Sequence, residues 1–349
     1  MNKTNTKKIY DMVGAEAVVT EQSDLRQYLT GFSSSFGFVI TDKSGSTFYT
    51  DKRYLEGATN SLKGTDIKVK EFGGSIVELI KPYKEIAIPV DSTYYRDYER
   101  YKNLGVNIVD SSAAFTKAMS IKEDYEIDYI KKASEITDKA FLELLGNIKE
   151  GMSENDVAAT LEYLMRKHGA SGTSFDTIVG FAENSSVPHH ETSLKKLKFG
   201  DIVLIDFGCK FGGYCSDCTR TFLFGDDKKH EEFKKSYAAV LDAHMRVKEQ
   251  LRSGMTGQEA DSISRDCLKE YGLDKYFTHS LGHGIGINIH EFPRLSQKSQ
   301  DVLLDNMVFS DEPGVYLEGN YGIRIEDTVM LKNEKVVSLT DSDKKLTII

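Results

Sequence analysis

The run Asp201-Ile-Val-Leu-Ile-Asp-Phe-Gly-Cys-Lys-Phe-Gly-Gly-Tyr-Cys-Ser-Asp-Cys-Thr-Arg-Thr-Phe-Leu-Phe224 carries two carboxylates, Asp206 and Asp217, on either side of a glycine-rich turn. Its arms, 201–209 and 214–224, are rich in β-branched and aromatic residues, and Lys210-Phe-Gly-Gly213 joins them, which predicts a β-hairpin. With Phe211-Gly212 as a two-residue loop, paired residue numbers sum to 423 and Asp206 falls opposite Asp217. Directly opposed residues on an antiparallel pair have Cβ atoms ~5 Å apart, and like charges there are destabilising. One acidic strand residue ordinarily sits on a solvated face; two opposed acids within arms this apolar call for a cation between them.

Further along, Met307-Val-Phe-Ser-Asp-Glu312 and Gly322-Ile-Arg-Ile-Glu-Asp-Thr-Val-Met-Leu331 flank a turn near Glu318-Gly-Asn320. Glu312 and Glu326 are then nominally opposite one another, with Pro313 interrupting the ladder. Between the two hairpins, His279-Ser-Leu-Gly-His-Gly-Ile-Gly-Ile-Asn-Ile-His290 holds three of the eight histidines. His279 and His283 are four apart, as in a zinc-binding helix, but Gly282, Gly284 and Gly286 argue against a helix. Those glycines instead let the backbone at His283 approach a tight site, and no Lys-Ser/Thr follows to support a phosphate loop. Four carboxylates and an imidazole form a hard, oxygen-rich donor set, suited to two divalent cations such as Mn²⁺, Fe²⁺, Co²⁺ or Zn²⁺. A pair of such cations lowers the pKa of a shared water toward ~7 and polarises a carbonyl, which is hydrolytic chemistry.

Pro188-His189, LIDFG (Leu204 to Gly208), Asp217 with Cys218-Thr-Arg-Thr221, HSLGHGIGINIHEFP from His279, DEPGVY (Asp311 to Tyr316) and GIRIED (Gly322 to Asp327) together resemble the pita-bread metallopeptidases of the aminopeptidase P and prolidase branch. The resemblance implies Asp206, Asp217, His283, Glu312 and Glu326 as ligands of two divalent metal ions, with Asp217 and Glu326 shared between them. Manganese is the favoured ion, with cobalt or zinc as alternatives. Glu312 is also implied as the proton shuttle from water to leaving nitrogen. His189, His279 and His290 would orient substrate and stabilise the tetrahedral intermediate, and Arg324 would support the substrate or brace the ligands. Arg324 precedes Glu326 by two residues, so on a strand both point to the same face; a surface ion pair is the plainer alternative.

A 103-residue echo supports the fold. Gly151-Met-Ser153 joins two amphipathic helices, and Gly254-Met-Thr256 does the same. Ile127, Ile130, Ser134, Phe141, Leu144, Leu145 and Ile148 stripe the first helix, and Phe233, Tyr237, Val240, Leu241, His244 and Leu251 its counterpart. Ser153 and Thr256 read as N-caps, each followed three residues later by an acid, and Gly169 and Gly272 as stops. The expected fold is therefore α+β: a pita-bread catalytic domain with internal pseudo-twofold duplication over 119–349, preceded by an α/β creatinase-like domain over 1–118. In the latter, strands are expected at 16–20, 37–41, 47–50, 67–70 and 86–90, with helical stretches near Arg53, Ile76 to Pro82 and Tyr94 to Leu104. YLTGF (Tyr28 to Phe32) and TDKRY (Thr50 to Tyr54) resemble the amino-terminal domain of the same branch. That resemblance implies dimerisation, hence a homodimer, and a wall for the substrate cleft.

The 349 residues suffice for two domains, and the net charge of −9 argues against nucleic acid as a partner. No run of ~18 apolar residues exists, so no membrane partner is expected. Met1 to Lys8 lacks the apolar stretch of a signal peptide, which points to the cytoplasm. Cys215 and Cys218 are spaced like half a zinc knuckle, but three-residue spacing in a strand puts the sulfurs on opposite faces, so these are structural thiols. Two positions depart from the family pattern: Gly180-Phe-Ala-Glu-Asn184, which sets a carboxylate near the expected cleft mouth, and Asp311, expected to face away from Glu312. The leading function is hydrolysis of Xaa-Pro bonds in proline-containing peptides. A methionine aminopeptidase is disfavoured by the extra domain and by Arg324, and a non-catalytic peptide-binding module by the full ligand set.

Overall fold

The computed structural model describes residues 5–225 and 230–349. Gly212 and Gly213 have φ values of 59° and 87°, the left-handed pair required by a two-residue type I′ turn. The turn is therefore Gly212-Gly213 and not Phe211-Gly212. Phe211 pairs with Tyr214 and Lys210 with Cys215, so the expected register is corrected by two: Asp206 lies opposite Thr219, and Phe207 opposite Cys218. A bulky Phe211 would be strained at positive φ, whereas in the strand it packs beside the Tyr129 ring, centroids 6.1 Å apart. A shift of two preserves the face, so Asp217 still shares the side of Asp206 as a diagonal neighbour. The backbone passes Gly208 so closely that a Cβ there would lie 2.0 Å from the Ser216 carbonyl oxygen.

The second hairpin keeps its expected register. Asp311 pairs with Asp327 and Gly314 with Arg324, which leaves Glu312 and Glu326 at matching positions in the gap between the two short ladders. Both ladders lose regularity there, at Glu312-Pro313 and Ile325-Glu326.

The chain divides into two compact units, Met1–Met119 and Ser120–Ile349. In the first, a six-stranded mixed sheet has the order Ile67–Glu71, Gly45–Thr50, Phe38–Asp42, Ala17–Thr20, Glu85–Ile88, Asn107–Asp110. The expected strands are present. The last one, with the sequence NIVD, is additional and too short and polar to stand out. Helices Thr6–Val13, Ser23–Thr30 and Ser112–Ser120 are likewise additional to the expected elements, and Met1 to Thr4, part of the signal-peptide reading, lie outside the described residues.

In the second unit, helix Asp124–Leu145 is followed by Glu154–Lys167, and helix Glu231–Gln250 by Gly257–Glu270. Ser153 and Thr256 cap the shorter helices through capping boxes closed by Asp156 and Glu259. The duplication extends to single hydrogen bonds: Gly151 N donates to Leu197 O at 2.9 Å, and Gly254 N to Leu303 O at 2.7 Å. Each half has its own apolar core, one around Phe141, Leu161 and Phe207, the other around Phe233, Val240 and Phe309. Two sheets carry the acids between these cores: the strands Ile178–Phe181, Asp201–Phe207 and Cys218–Phe224, and the five-stranded sheet containing Gly282–Gly284, Val308–Asp311 and Asp327–Lys332. The four cysteines are buried and unpaired.

Candidate metal centre

Asp206, Asp217 and Glu326 each offer a carboxylate oxygen within 4.8 Å of the others. Glu326 is held by Thr219 Oγ1, which donates to it at 2.6 Å, and the Glu326 amide donates to Thr219 O at 3.1 Å. Thr219, the residue opposite Asp206, thus stitches the two sheets together. Glu312 Oε1 accepts from Ser310 Oγ at 2.9 Å, and the same hydroxyl accepts from the His283 amide at 3.0 Å. His283 Nε2 then stands 3.4 Å from Glu312 Oε1 and 3.6 Å from Asp217 Oδ2. All five sequence-predicted ligands line one cleft of about 920 Å³.

The histidine protonation follows from its partners. His283 Nδ1 faces the Gly284 carbonyl at 3.2 Å, and a carbonyl only accepts, so the proton sits on Nδ1 and Nε2 presents a lone pair. Burial, with His290 beside it, depresses His283 to about 4 and keeps it neutral. A lone pair aimed at two carboxylates is repulsive without a cation in between. The carboxyls report the same conflict: burial and then the neighbouring acids push Asp217 and Glu326 well above the usual range. Burial, reinforced by Asp206 and opposed by Arg324, lifts Glu312 to about 8. Asp206 Oδ1 is buried with no hydrogen-bond partner. The donor set thus fits divalent cations.

The other predicted residues line the same cleft. His290 lies edge-on to His283, with ring centroids 4.2 Å apart. His279 Nδ1 donates to the Ser280 carbonyl at 2.8 Å and stands 3.9 Å from Glu312 Oε2. Its Nε2 therefore accepts from the Tyr316 hydroxyl at 2.9 Å. Burial, with Arg324 nearby, depresses His279 to about 3. Arg324 is 3% exposed and donates to Asp206 Oδ2 at 2.6 Å and Thr219 Oγ1 at 2.9 Å, which excludes a surface ion pair. His189 lines the cleft beside Pro188 and Phe175.

Two family models cover the chain: Metallopeptidase family M24 over residues 128–333, and the Creatinase/Prolidase N-terminal domain over 5–118. The chain belongs to metallopeptidase family M24. Among its M24 relatives, the Xaa-Pro dipeptidase of Pyrococcus furiosus is 38% identical over 89% of this chain and 88% of its own. Two solved structures superpose closely. An Xaa-Pro dipeptidase from Bacillus anthracis has a TM-score of 0.91 at 35% identity, covering 99% of this chain and 98% of its own. An X-Pro aminopeptidase from Thermotoga maritima has a TM-score of 0.92 at 34% identity, covering 98% and 100%.

Two features of this M24 chain needed the structure. Glu183 does not face the cleft: it is largely exposed and pairs with Lys195 at 2.7 Å, because the 3₁₀ turn Ala182–Ser186 points it outward. Asp311 does face away from Glu312, and it meets His244, which the helical stripe presented as an ordinary core position. His244 Nδ1 lies 3.1 Å from Asp311 Oδ2 and Nε2 3.5 Å from Asp327 Oδ2, all three side chains fully buried. Arg220 and Lys344 also pair with Asp327, at 2.9 and 3.0 Å, with Lys248 at 4.0 Å. Burial disfavours the imidazolium, but Asp311 and Asp327 more than offset it and raise His244 to about 9.

A folded pKa above the unfolded 6.5 means stability that is fully present below about pH 6.5 and lost as pH rises through about 9. His244→Gln leaves Asp311 buried without its cation and is expected to cost about 3–5 kcal/mol. It should also flatten the fall in Tm between pH 7 and 10. Thermal melts across that range check both, and a wild-type Tm at pH 7 would show the pair to be inert.

Proposed function

We propose that this chain is a metal-dependent exopeptidase that hydrolyses Xaa-Pro bonds, with Asp206, Asp217, His283, Glu312 and Glu326 holding two divalent cations. The observation that carries this reading is the unprotonated His283 Nε2 aimed, at 3.4 and 3.6 Å, into a nest of buried carboxylates. When bound, such cations acidify a water and polarise the scissile carbonyl. Glu312, its Oε1 braced by Ser310 and its Oε2 3.9 Å from His279, takes the water proton and delivers it to the leaving nitrogen. Arg324 holds Asp206 in place and, through Tyr316, fixes the His279 ring. His189, His279 and His290 line the cleft where the peptide carbonyl must lie. Catalysis here is positioning plus electrostatics, with little moving besides a proton.

The relatives' names supply the proline specificity and divide between dipeptidase and aminopeptidase. Ala-Pro against Ala-Pro-Ala separates these, and we expect the Mn²⁺-loaded enzyme to cleave at least one between pH 6 and 9. Cleavage of neither, in protein of full metal content, would end the proposal. Manganese as the resident ion, with cobalt or zinc as alternatives, and a homodimer belong to the same reading. A cytoplasmic location accords with four unpaired, buried thiols. Among the described residues no helix is long and apolar enough to cross a membrane.

A further inference from the structure

Glu154, the first residue of the helix Glu154–Lys167, has a side chain with no exposed surface. It turns away from its own helix into the loop that follows Ile178–Phe181. Oε1 accepts from the Phe181 amide at 2.9 Å and Asn184 Nδ2 at 2.8 Å. Oε2 accepts from the Ser193 amide at 2.9 Å, Ser193 Oγ at 2.6 Å and His190 Nε2 at 2.8 Å. One carboxylate thus collects donors from both ends of residues 181–193, and hydrogen bonds to a charged acceptor are about twice as strong as neutral ones. Among the described residues, its side-chain hydrogen-bond partners are Phe181, Asn184, His190 and Ser193, none of them a proposed metal ligand.

Within that span lies His189, on a loop with little regular structure of its own. Ala182 adopts φ 47°, a left-handed conformation that costs a non-glycine residue about 1–2 kcal/mol and persists only where its surroundings over-determine it. The loop's other face is tied to the second hairpin: Gly322 N donates to Ser185 Oγ at 2.9 Å, and Gly319 N to Ser186 Oγ at 3.2 Å. Arg324 Nη1 reaches the Pro188 carbonyl at 3.5 Å. The loop is therefore clamped between Glu154 behind and the acid-bearing hairpin in front, and His189 enters the cleft between the two clamps.

We propose that Glu154 is a positioning residue that fixes His189 against the substrate without itself touching substrate or metal. This rests on the reading that His189 faces the peptide. Glu154→Gln keeps the shape but replaces an acceptor with an NH₂ group among donors, so the back clamp opens.

Two readouts test it on the metal-loaded full chain. Hydrogen exchange of the amides at 182–193 should accelerate about tenfold or more in E154Q, as a freed loop exchanges from a low-stability opening; unchanged protection overturns the proposal whether or not the enzyme cleaves Ala-Pro. In the kinetic cycle, E154Q and H189A should each lower kcat/KM by about 10- to 100-fold, the scale of a misplaced group, with metal content unchanged. E154Q/H189A should fall no more than about twofold below H189A alone, the non-additivity of coupled residues. Losses that multiply, or metal lost with activity, would mean that Glu154 acts elsewhere. Wild-type kinetics in H189A would instead reject the role of His189, and with it the inference. If E154Q does not fold, Ser193→Ala, which removes the 2.6 Å bond and keeps the carboxylate, should show the same exchange and coupling pattern on a smaller scale; its absence overturns the proposal.

Discussion

Glu312→Gln is expected to lower kcat on the preferred Xaa-Pro substrate by about 10²–10⁴-fold, the range for loss of a positioned proton-transfer group, with KM changing far less. Glutamine is isosteric and can still accept from Ser310 Oγ, which donates to Glu312 at 2.9 Å, but an amide cannot carry a proton from water to nitrogen. The fold should survive, because glutamine keeps the shape and the Ser310 bond while removing an acid whose ionisation its acidic neighbours oppose, so the metal-free variant should melt at or above the metal-free wild type. Steady-state kinetics, metal analysis and thermal melts on the same preparations check the three parts. A kcat within tenfold of wild type at full metal content would strip Glu312 of its proton-carrying role.

Removing the metal is expected to be the second large effect. Asp206, Asp217, Glu312 and Glu326 face one neutral imidazole and one guanidinium, so dialysis against a chelator should abolish turnover and lower Tm together. At metal concentrations a thousandfold above Kd, binding stabilises the folded chain by about 4 kcal/mol, or about 8–16 °C at 2–4 °C per kcal/mol for a cooperative unit the size of Ser120–Ile349. Adding back Mn²⁺ should restore both. Full activity after exhaustive chelation, verified by metal analysis, would remove the cations from the mechanism, and an unchanged Tm would mean that they bind without relieving the carboxylates. In an Asp217→Ala variant, Tm should respond much less to the same chelation, since one oxygen donor of the trio Asp206, Asp217 and Glu326 is gone.

The acidic residues were legible in the sequence because chemistry concentrates there: four carboxylates inside β-patterned, apolar runs repel one another unless cations lie between them. Glu312 and Glu326 could be paired only nominally, because Pro313 interrupts the ladder and the loop at Glu318-Gly-Asn320 is longer; the structure closes that loop with Gly319 at φ 70° and keeps the nominal register. Asp206 and Asp217 could not be registered correctly, since Phe211-Gly212 and Gly212-Gly213 are both plausible turns until the left-handed φ of each centre is considered. The shared face survived the error because the slip was an even number of residues. His244 and Glu154 were beyond reach for another reason. Their partners are set by the way separate elements pack, with Asp311 and Asp327 far from His244 in sequence, and no periodicity announces such a meeting. Ser153 and Thr256 stand at the opposite extreme: a capping box is closed within four residues, so local spacing was sufficient.

The second hairpin has one more property. Its strands carry acids alternately to opposite sides, Glu312 and Glu326 toward the cleft and Asp311 and Asp327 toward His244 and Arg220. If the chain folded with its two strands displaced by a single position, every side chain on the displaced strand would change sides. A carboxylate meant for the cleft would then face the buried cations, and one that balances those cations would crowd the cleft, so both sides would lose charge balance at once. The hairpin thereby acts as an alignment key, admitting the one strand pairing in which front and back are neutralised together.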